Sequence, residues 1–186
     1  REVRAVPLPD GRIVSAAGED MILADIFDMV TREAPPVLSL TLALIFLTLW
    51  LLLGSLRQAL VCLAPGIVTL LVTLGLLPLV DLDLNYLNIV MIPVLFGIAV
   101  DGGAHLVTRI AGGSSLAETL AEIGRAIAGA ILTTGLGFSA LLLADHPGLD
   151  SLGELAVLGL GVNALVTLVA LPALLTWRPL KHSAGS

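Results

Sequence analysis

Residues 92–106 read Ile-Pro-Val-Leu-Phe-Gly-Ile-Ala-Val-Asp-Gly-Gly-Ala-His-Leu, an apolar run that contains a single carboxylate, Asp101. This run lies within a longer apolar stretch, residues 86–108. A helix that rises 1.5 Å per residue needs about 20 residues to cross roughly 30 Å of hydrocarbon. The stretch therefore predicts a transmembrane helix with an acidic side chain well inside the membrane.

Four further stretches share this length and composition, so residues 37–178 are predicted to form a transmembrane domain of five helices. The predicted spans are residues 37–56, 59–80, 86–108, 126–144 and 152–176. Of the 186 residues, 57% are apolar and 13% are charged. An average soluble domain has about 25% charged residues. The composition excludes a disordered chain and an ordinary soluble enzyme, and it indicates an all-α membrane protein.

The first 36 residues differ in composition, because they hold eleven of the 24 charged residues. Residues 2–6 and 12–16 flank a Pro-Asp-Gly turn, which predicts a β-hairpin. Apolar residues at nearly helical spacing predict an amphipathic helix over residues 20–34. We expect residues 1–36 to be a short αβ remnant of a domain outside the membrane, or alternatively a bare linker. Residues 179–186 are predicted to be a polar tail.

Charge predicts the orientation of the bundle. Beyond residue 36, all basic residues fall on one side of a five-span arrangement, and they are Arg57, Arg109, Arg125, Arg178 and Lys181. The loops on the opposite side carry aspartates and no Lys or Arg. By the positive-inside rule, the C-terminus is predicted to be cytoplasmic and the N-terminal region periplasmic. The net charge of −6, with no basic cluster, argues against a nucleic-acid partner.

Asp101 lies about 10 Å from the cytoplasmic end of its predicted helix. A charged side chain there is costly, and intramembrane carboxylates mark proton pathways. We predict that Asp101 binds and releases a proton; the alternative is a structural carboxylate neutralised by a partner helix. His105, one turn later on the same face, either extends that path or is an interfacial polar residue. The small residues Gly97, Gly102 and Gly103 would let a neighbouring helix approach closely.

The fourth predicted helix supplies candidate partners for Asp101. Counting inward from Arg125 puts Thr133 and Thr134 at the same depth as Asp101. We predict that one of these hydroxyls contacts the carboxyl. The alternative is a hydrogen bond back to a carbonyl of the same helix, which is common for threonine.

Two further features concern contacts between helices. Gly129, Thr133 and Gly137 form a row of small residues at four-residue spacing, which predicts a helix-packing face. Asn163 lies in the middle of the fifth predicted helix. A polar side chain at that position is interpreted as a hydrogen-bonding contact between helices or as a contact to a substrate.

Several motifs in a fixed order resemble the resistance–nodulation–division (RND) transporters, and most closely their MMPL-like branch, which includes hopanoid and other lipid exporters. Gly97 and Asp101 match the G-x-x-x-D pattern in the fourth or tenth helix of that family. Residues 133–138, 146–153 and 171–175 resemble the next helix, the following loop and the end of the last helix. Many MMPL-type members have Tyr after the Asp, whereas this chain has Gly102, so a Tyr–Asp relay is not carried over.

The resemblance implies one half of a transporter. The family fold has two similar halves of six helices, each with a large external domain after its first helix. Residues 13–176 then correspond to the tail of the external domain and helices two to six of one half, and the short polar tail favours the second half. The implied function is proton-driven export of a lipid or another hydrophobic substrate across the bacterial inner membrane, with Asp101 as the proton-coupling residue.

The same resemblance implies the partners. These are the remaining half of the transporter, membrane lipid, the substrate and protons, with no cofactor, no metal ion and no enzymatic activity. The main alternative is a sterol-sensing-type module that binds lipid and regulates without pumping. An intramembrane protease is disfavoured, because no mid-span His lies opposite Ser139 and no second mid-span Asp accompanies Asp101.

Overall fold

The structure is a computed structural model that describes residues 6–7, 13–14 and 19–177. It divides into two units, Arg1–Leu40 and Thr41–Ser186. In the first unit, strands β1 (Val6–Pro7) and β2 (Ile13–Val14) pair in antiparallel register. The predicted hairpin is therefore seen in the described residues, whereas its predicted turn lies outside them.

Five helices in the described residues are long and apolar enough to span a membrane, so the predicted all-α membrane fold with five spans is confirmed. They are α1 (Glu19–Leu53, with its span from Pro35), α2 (Leu56–Leu79), α3 (Asn88–Ala111), α4 (Leu116–Leu143) and α5 (Pro147–Trp177). Two of these helices contain a π-helical turn, Leu120–Gly124 in α4 and Val166–Ala170 in α5.

Helix α1 passes through Pro35 and Pro36 without a break. The sequence predicted one helix over residues 20–34 and a separate span from residue 37. Each proline removes one backbone hydrogen bond, and membrane helices tolerate such losses when other groups satisfy the backbone. Separately, the Ser39 hydroxyl donates to the Pro35 carbonyl at 2.7 Å.

The joint between α1 and α2 corrects two predicted boundaries. Hydropathy put the first span up to residue 56 and the second from residue 59, but α1 ends at Leu53 and α2 begins at Leu56. Gly54 has a φ of 62°, a conformation that glycine adopts readily at helix ends. The Ser55 hydroxyl then accepts from the backbone N–H of Gln58 and caps α2. These local signals outweigh the apolar run that crosses the joint.

Helices α4 and α5 also start earlier than predicted. Residues 116–124 and the predicted span from residue 126 form one helix, joined through the π-turn. Ser115 and Glu118 form a capping box at its start. Helix α5 begins at Pro147 rather than at residue 152, with the His146 ring accepting from the backbone N–H of Gly148.

Helices α2, α3 and α5 form the core of the second unit. Helix α2 packs along α3, and α5 contacts α2, α3 and α4. The largest fully buried apolar side chains come from α3 and α5, and they include Leu95, Phe96, Leu106, Leu155 and Leu160. Glycines allow this close approach, because a Cβ at Gly66 would lie 2.7 Å from Val100 Cγ2.

A polar cluster, which we call the asparagine cluster, joins the start of α3 to the start of α5 and consists of Asn85, Asn88 and Ser151. The Asn85 side-chain amide donates to the Ser151 hydroxyl at 2.6 Å. Asn88 is fully buried, donates to the Asp83 carbonyl at 2.8 Å and accepts from the backbone N–H of Asn85 at 2.8 Å. The cluster fastens the α2–α3 loop to α5.

Candidate functional site

Asp101 lies in the interior of α3, and its side chain points away from the core of the five helices. Its side chain is 76% exposed within this chain. The two residues that follow it, Gly102 and Gly103, are buried. Helix α3 thus presents a packed glycine face to its neighbours and an open face that carries the carboxylate.

His105 lies beside Asp101, as predicted from the i, i+4 spacing. Its Nε2 atom is 3.6 Å from Asp101 Oδ1, and the ring is 61% exposed. The two groups form an ion pair when the imidazole is protonated. Further along α3, one turn beyond His105, a second ion pair joins the Arg109 guanidinium to the Glu122 carboxylate of α4.

Two grooves flank Asp101. The first, of about 340 Å³, lies between α3 and α4, and Asp101 and His105 line it together with Ile127, Ala130 and Ile131. The second, also of about 340 Å³, lies between α3 and α1. Asp101 lines both grooves, so its carboxyl lies on the ridge between them.

Among the described residues that line the second groove, one polar side chain accompanies Asp101. Leu44, Ile45, Thr48 and Leu49 of α1 form one wall. Gly97 lies in the opposite wall, where a Cβ would meet no atom of the described residues within 4 Å. The Thr48 hydroxyl donates to the Leu44 carbonyl of its own helix at 2.8 Å. This groove is therefore open and mostly apolar.

The predicted threonine contact to Asp101 is not formed within this chain. The Thr133 hydroxyl donates to the carbonyls of Gly129 and Ala130, each at 3.0 Å, which is the alternative that the sequence left open. Thr134 makes no side-chain hydrogen bond to the part of the chain that the structure describes. The α4 residues that line the groove beside Asp101 extend only to Ile131, because α4 begins at Leu116 and its depth cannot be counted from Arg125.

The predicted glycine roles divide into two groups. A Cβ at Gly103 would lie 2.8 Å from Pro65 Cγ, and one at Gly102 would lie 3.1 Å from Thr167 Cγ2, so both glycines permit close helix packing. A Cβ at Gly129 or Gly137 would meet no described atom within 4 Å. The small-residue row of α4 faces away from the other four helices, and its role as a packing face stays a prediction.

Asn163 is buried in α5 and bonds within its own helix. Its Oδ1 accepts from the Thr167 hydroxyl at 2.8 Å, and both side chains are almost completely buried. Asn163 was predicted to make a polar contact, whereas no role was predicted for Thr167. The signal was present, since polar residues four apart share one helix face.

Comparison with known proteins identifies the family. The model of the MMPL family matches residues 1–179. The chain belongs to the MMPL family. This confirms the resemblance to MMPL-type RND transporters, and the family agrees with the expectation that the chain is not an enzyme. The chain is part of a multi-pass membrane protein.

Two relatives of this MMPL-family chain are named as hopanoid transporters. The chain is 36% identical over 132 residues to the hopanoid transporter HpnN of Rhodopseudomonas palustris, and 30% identical over 132 residues to that of Burkholderia multivorans. Each match covers 70% of this chain and 15% of the relative. The membrane protein MJ1562 of Methanocaldococcus jannaschii is 26% identical over 183 residues, with 93% of this chain and 47% of that protein covered.

Proposed function

We propose that the protein containing this chain exports a lipid or another hydrophobic substrate, driven by the proton-motive force. Asp101 is the coupling carboxylate. The observation that carries this proposal is a mid-span carboxyl on the ridge between two grooves, in a chain whose relatives are named as hopanoid transporters. The role of a lipid is inferred from those relatives.

The coupling mechanism follows from the cost of a charge in hydrocarbon. An ionised Asp101 requires water or a polar partner, whereas a protonated one can face apolar surroundings. Protonation thus favours one helix packing and ionisation another, and the free-energy difference between the two packings couples proton entry to movement. His105, at 3.6 Å, extends the proton path along α3. Thr133 and Thr134 do not contact the carboxyl in this packing, and they are candidate contacts in a second packing in which α4 has turned relative to α3.

The location and partners are also proposals. We place the protein in the bacterial inner membrane, with the N-terminal region periplasmic and the C-terminus cytoplasmic, on the basis of the Lys and Arg distribution. The remaining half of the transporter completes the substrate path. Residues 37–178 form its membrane domain, between the external-domain remnant 1–36 and the tail 179–186.

The decisive experiment replaces Asp101 in the intact protein. Asp101→Asn keeps the shape of the side chain but cannot release a proton. Reconstituted in vesicles that contain a hopanoid and carry an imposed pH gradient, it is expected to insert normally but to abolish hopanoid export and the accompanying proton flux. The control is Asp145→Asn, the same change at an exposed position between α4 and α5.

Unchanged export and proton flux in Asp101→Asn would contradict the proposal. Hopanoid binding without any proton-driven export, in the wild-type protein as well as the variant, would favour the sterol-sensing-type regulatory module instead. In the first outcome the protein still pumps, but a residue other than Asp101 couples transport to protons. In the second outcome the protein does not pump at all.

Orientation is tested by labelling single cysteines after Cys62→Ala. Ser114→Cys lies between α3 and α4, and Asp145→Cys lies between α4 and α5. A membrane-impermeant maleimide added from outside is expected to label position 145 and not position 114. The reverse result would invert the topology, and labelling of both would contradict the assignment of α4 as a span.

A further inference from the structure

The face of α3 next to Asp101, at Gly102, is held by a buried polar pair in α5. Thr167 is completely buried and Asn163 is 1% exposed. The Thr167 hydroxyl donates to Asn163 Oδ1 at 2.8 Å. The Cγ2 methyl of Thr167 packs against Gly102, where an added Cβ would lie only 3.1 Å away.

This contact determines the direction of Asp101. Successive residues of an α-helix point about 100° apart, because 3.6 residues complete one turn. A contact that holds Gly102 against α5 therefore sets the direction of the residue before it. At the next residue of α3, Gly103 is held against Pro65 and the Cys62 carbonyl of α2. Rotation of α3 about its axis must disrupt one of these contacts.

The hydrogen bond to Asn163 selects the conformation of Thr167. Threonine in a helix divides between two χ1 rotamers. Since Oγ1 is engaged by Asn163, Cγ2 is directed at Gly102. Thr167 also belongs to the π-turn Val166–Ala170, and such turns occur frequently at functional sites of helices.

We propose that Asn163 and Thr167 are positioning residues that set the rotation of α3 and thereby aim the Asp101 carboxyl at the ridge between the two grooves. Neither residue touches the carboxyl, and they act through Gly102. The pair thus has a role distinct from a bond between helices or a substrate contact. The effect of this pair on transport rests on the proposed function. Its effect on the direction of the Asp101 side chain does not.

The surroundings of Asp101 make its protonation a usable readout of this aim. In the described part of the chain, His105 is the only other titratable side chain that lines either groove. Helices α1 and α4 present apolar residues and Thr48 there. Behind α3 are Cys62 of α2 and the neutral Asn163–Thr167 pair of α5. Because Asp101 and His105 turn together with α3, a rotation of the helix changes chiefly the distance of the carboxyl from the apolar walls of α1 and α4 and from the groove openings.

The test uses dicyclohexylcarbodiimide, a hydrophobic reagent that modifies protonated carboxyls, on the intact protein in vesicles. Labelling of Asp101 is measured by mass spectrometry as a function of pH. Gly102→Ala places a Cβ against Thr167 and is expected to shift the pH midpoint of labelling and to lower proton-driven export about tenfold. Gly75→Ala is the matched control, because a Cβ there meets no atom within 4 Å in the part of the chain that the structure describes.

A compensating substitution makes the test specific. Thr167→Ser removes Cγ2 but keeps the hydroxyl for Asn163, and alone it is expected to lower export about twofold through the lost methyl. Combined with Gly102→Ala, it is expected to return the midpoint to the wild-type value and to recover most of the export. An unchanged midpoint in Gly102→Ala, or a double variant no better than Gly102→Ala, would overturn the proposal.

A second variant covers the case in which Gly102→Ala fails to fold. Thr167→Val keeps the volume of the side chain but loses the bond to Asn163, and it is expected to shift the midpoint and to lower export about threefold. No shift would overturn the role of the hydrogen bond. Labelling of Asp101 does not require transport, so the two proposals can fail separately. Normal export by Asp101→Asn would contradict the proposed function. The pH midpoints of labelling in the Gly102 and Thr167 variants would still decide the positioning role.

Discussion

Helices α4 and α5 are almost equally apolar, yet they differ sharply in packing. In α5, 56% of the most apolar segment is buried within the described chain, against 11% in α4. Apolar composition therefore predicts insertion into a membrane and does not predict which helices form the core.

The difference lies in shape. In lipid there is no hydrophobic drive between helices, so association depends on close packing and hydrogen bonds. Gly159 of α5 accommodates Leu95 of α3. By contrast, a Cβ at Gly129 or Gly137 of α4 would meet no described atom within 4 Å. The same residue type creates an interface in one helix and leaves an uncovered face in the other.

The largest effect is expected in the packed region. Gly103→Val introduces a side chain where Cβ alone would lie 3.0 Å from the Cys62 carbonyl oxygen and 2.8 Å from Pro65 Cγ. Neither backbone nor ring can yield cheaply, so we expect a loss of about 3 kcal/mol or more in unfolding free energy. Thermal unfolding of the intact protein in detergent measures it, with the open position Gly75→Val as control. Equal stability of the two variants would show that the α2–α3 contact is loose.

An intermediate effect is expected on α4. If the remaining half of the transporter covers the small-residue row, Gly137→Val in the intact protein lowers the unfolding free energy by about 1 kcal/mol. The loss is smaller than in the core because two halves can separate slightly. The same measurement decides the matter: a Gly137→Val protein as stable as Gly75→Val would mean that this face meets lipid.

The smallest effect on stability is expected for the ion pair between Arg109 and Glu122. This pair links the last turns of α3 to the first turns of α4. The side chains are 49% and 58% exposed, so water and salt screen the pair. We expect Glu122→Gln to lower the unfolding free energy by about 0.2–1 kcal/mol at low salt and by less at high salt. The variant Arg109→Gln/Glu122→Gln should lose little more, and strictly additive losses would show that the two side chains act independently.

Much of the fold could be predicted from the sequence, because span length and hydropathy are local properties. The number and order of the five spans follow from the length and hydropathy of each apolar stretch. The place of His105 beside Asp101 follows from the four-residue spacing along one helix. The boundary at Gly54 and Ser55 was missed, since the apolar run continues across it and only the glycine and the capping hydroxyl mark the break.

The contacts of Asp101 across helices could not be predicted in the same way. They depend on helix rotation and on where each helix starts. Counting from Arg125 selected Thr133 and Thr134, but α4 starts nine residues earlier and contains a π-turn, so Ala130 and Ile131 line the groove instead. Thr167 was missed because its importance comes from Gly102, which lies 65 positions away in the chain.

The asparagine cluster bears on how the protein is assembled during synthesis. Asn85 precedes its partner Ser151 by 66 residues, so the α2–α3 loop is made long before α5 exists. Until α5 has entered the membrane, the side-chain N–H of Asn85 has no Ser151 hydroxyl to donate to, although its Oδ1 already accepts from the backbone N–H groups of Leu87 and Asn88. Closing so long a loop costs little more entropy than closing one of half its length. The bond between Asn85 and Ser151 therefore forms only after α5 has been made, late in biogenesis. Because it joins the starts of α3 and α5, it requires both helices to begin on the same side of the membrane, with α4 crossing in the opposite direction.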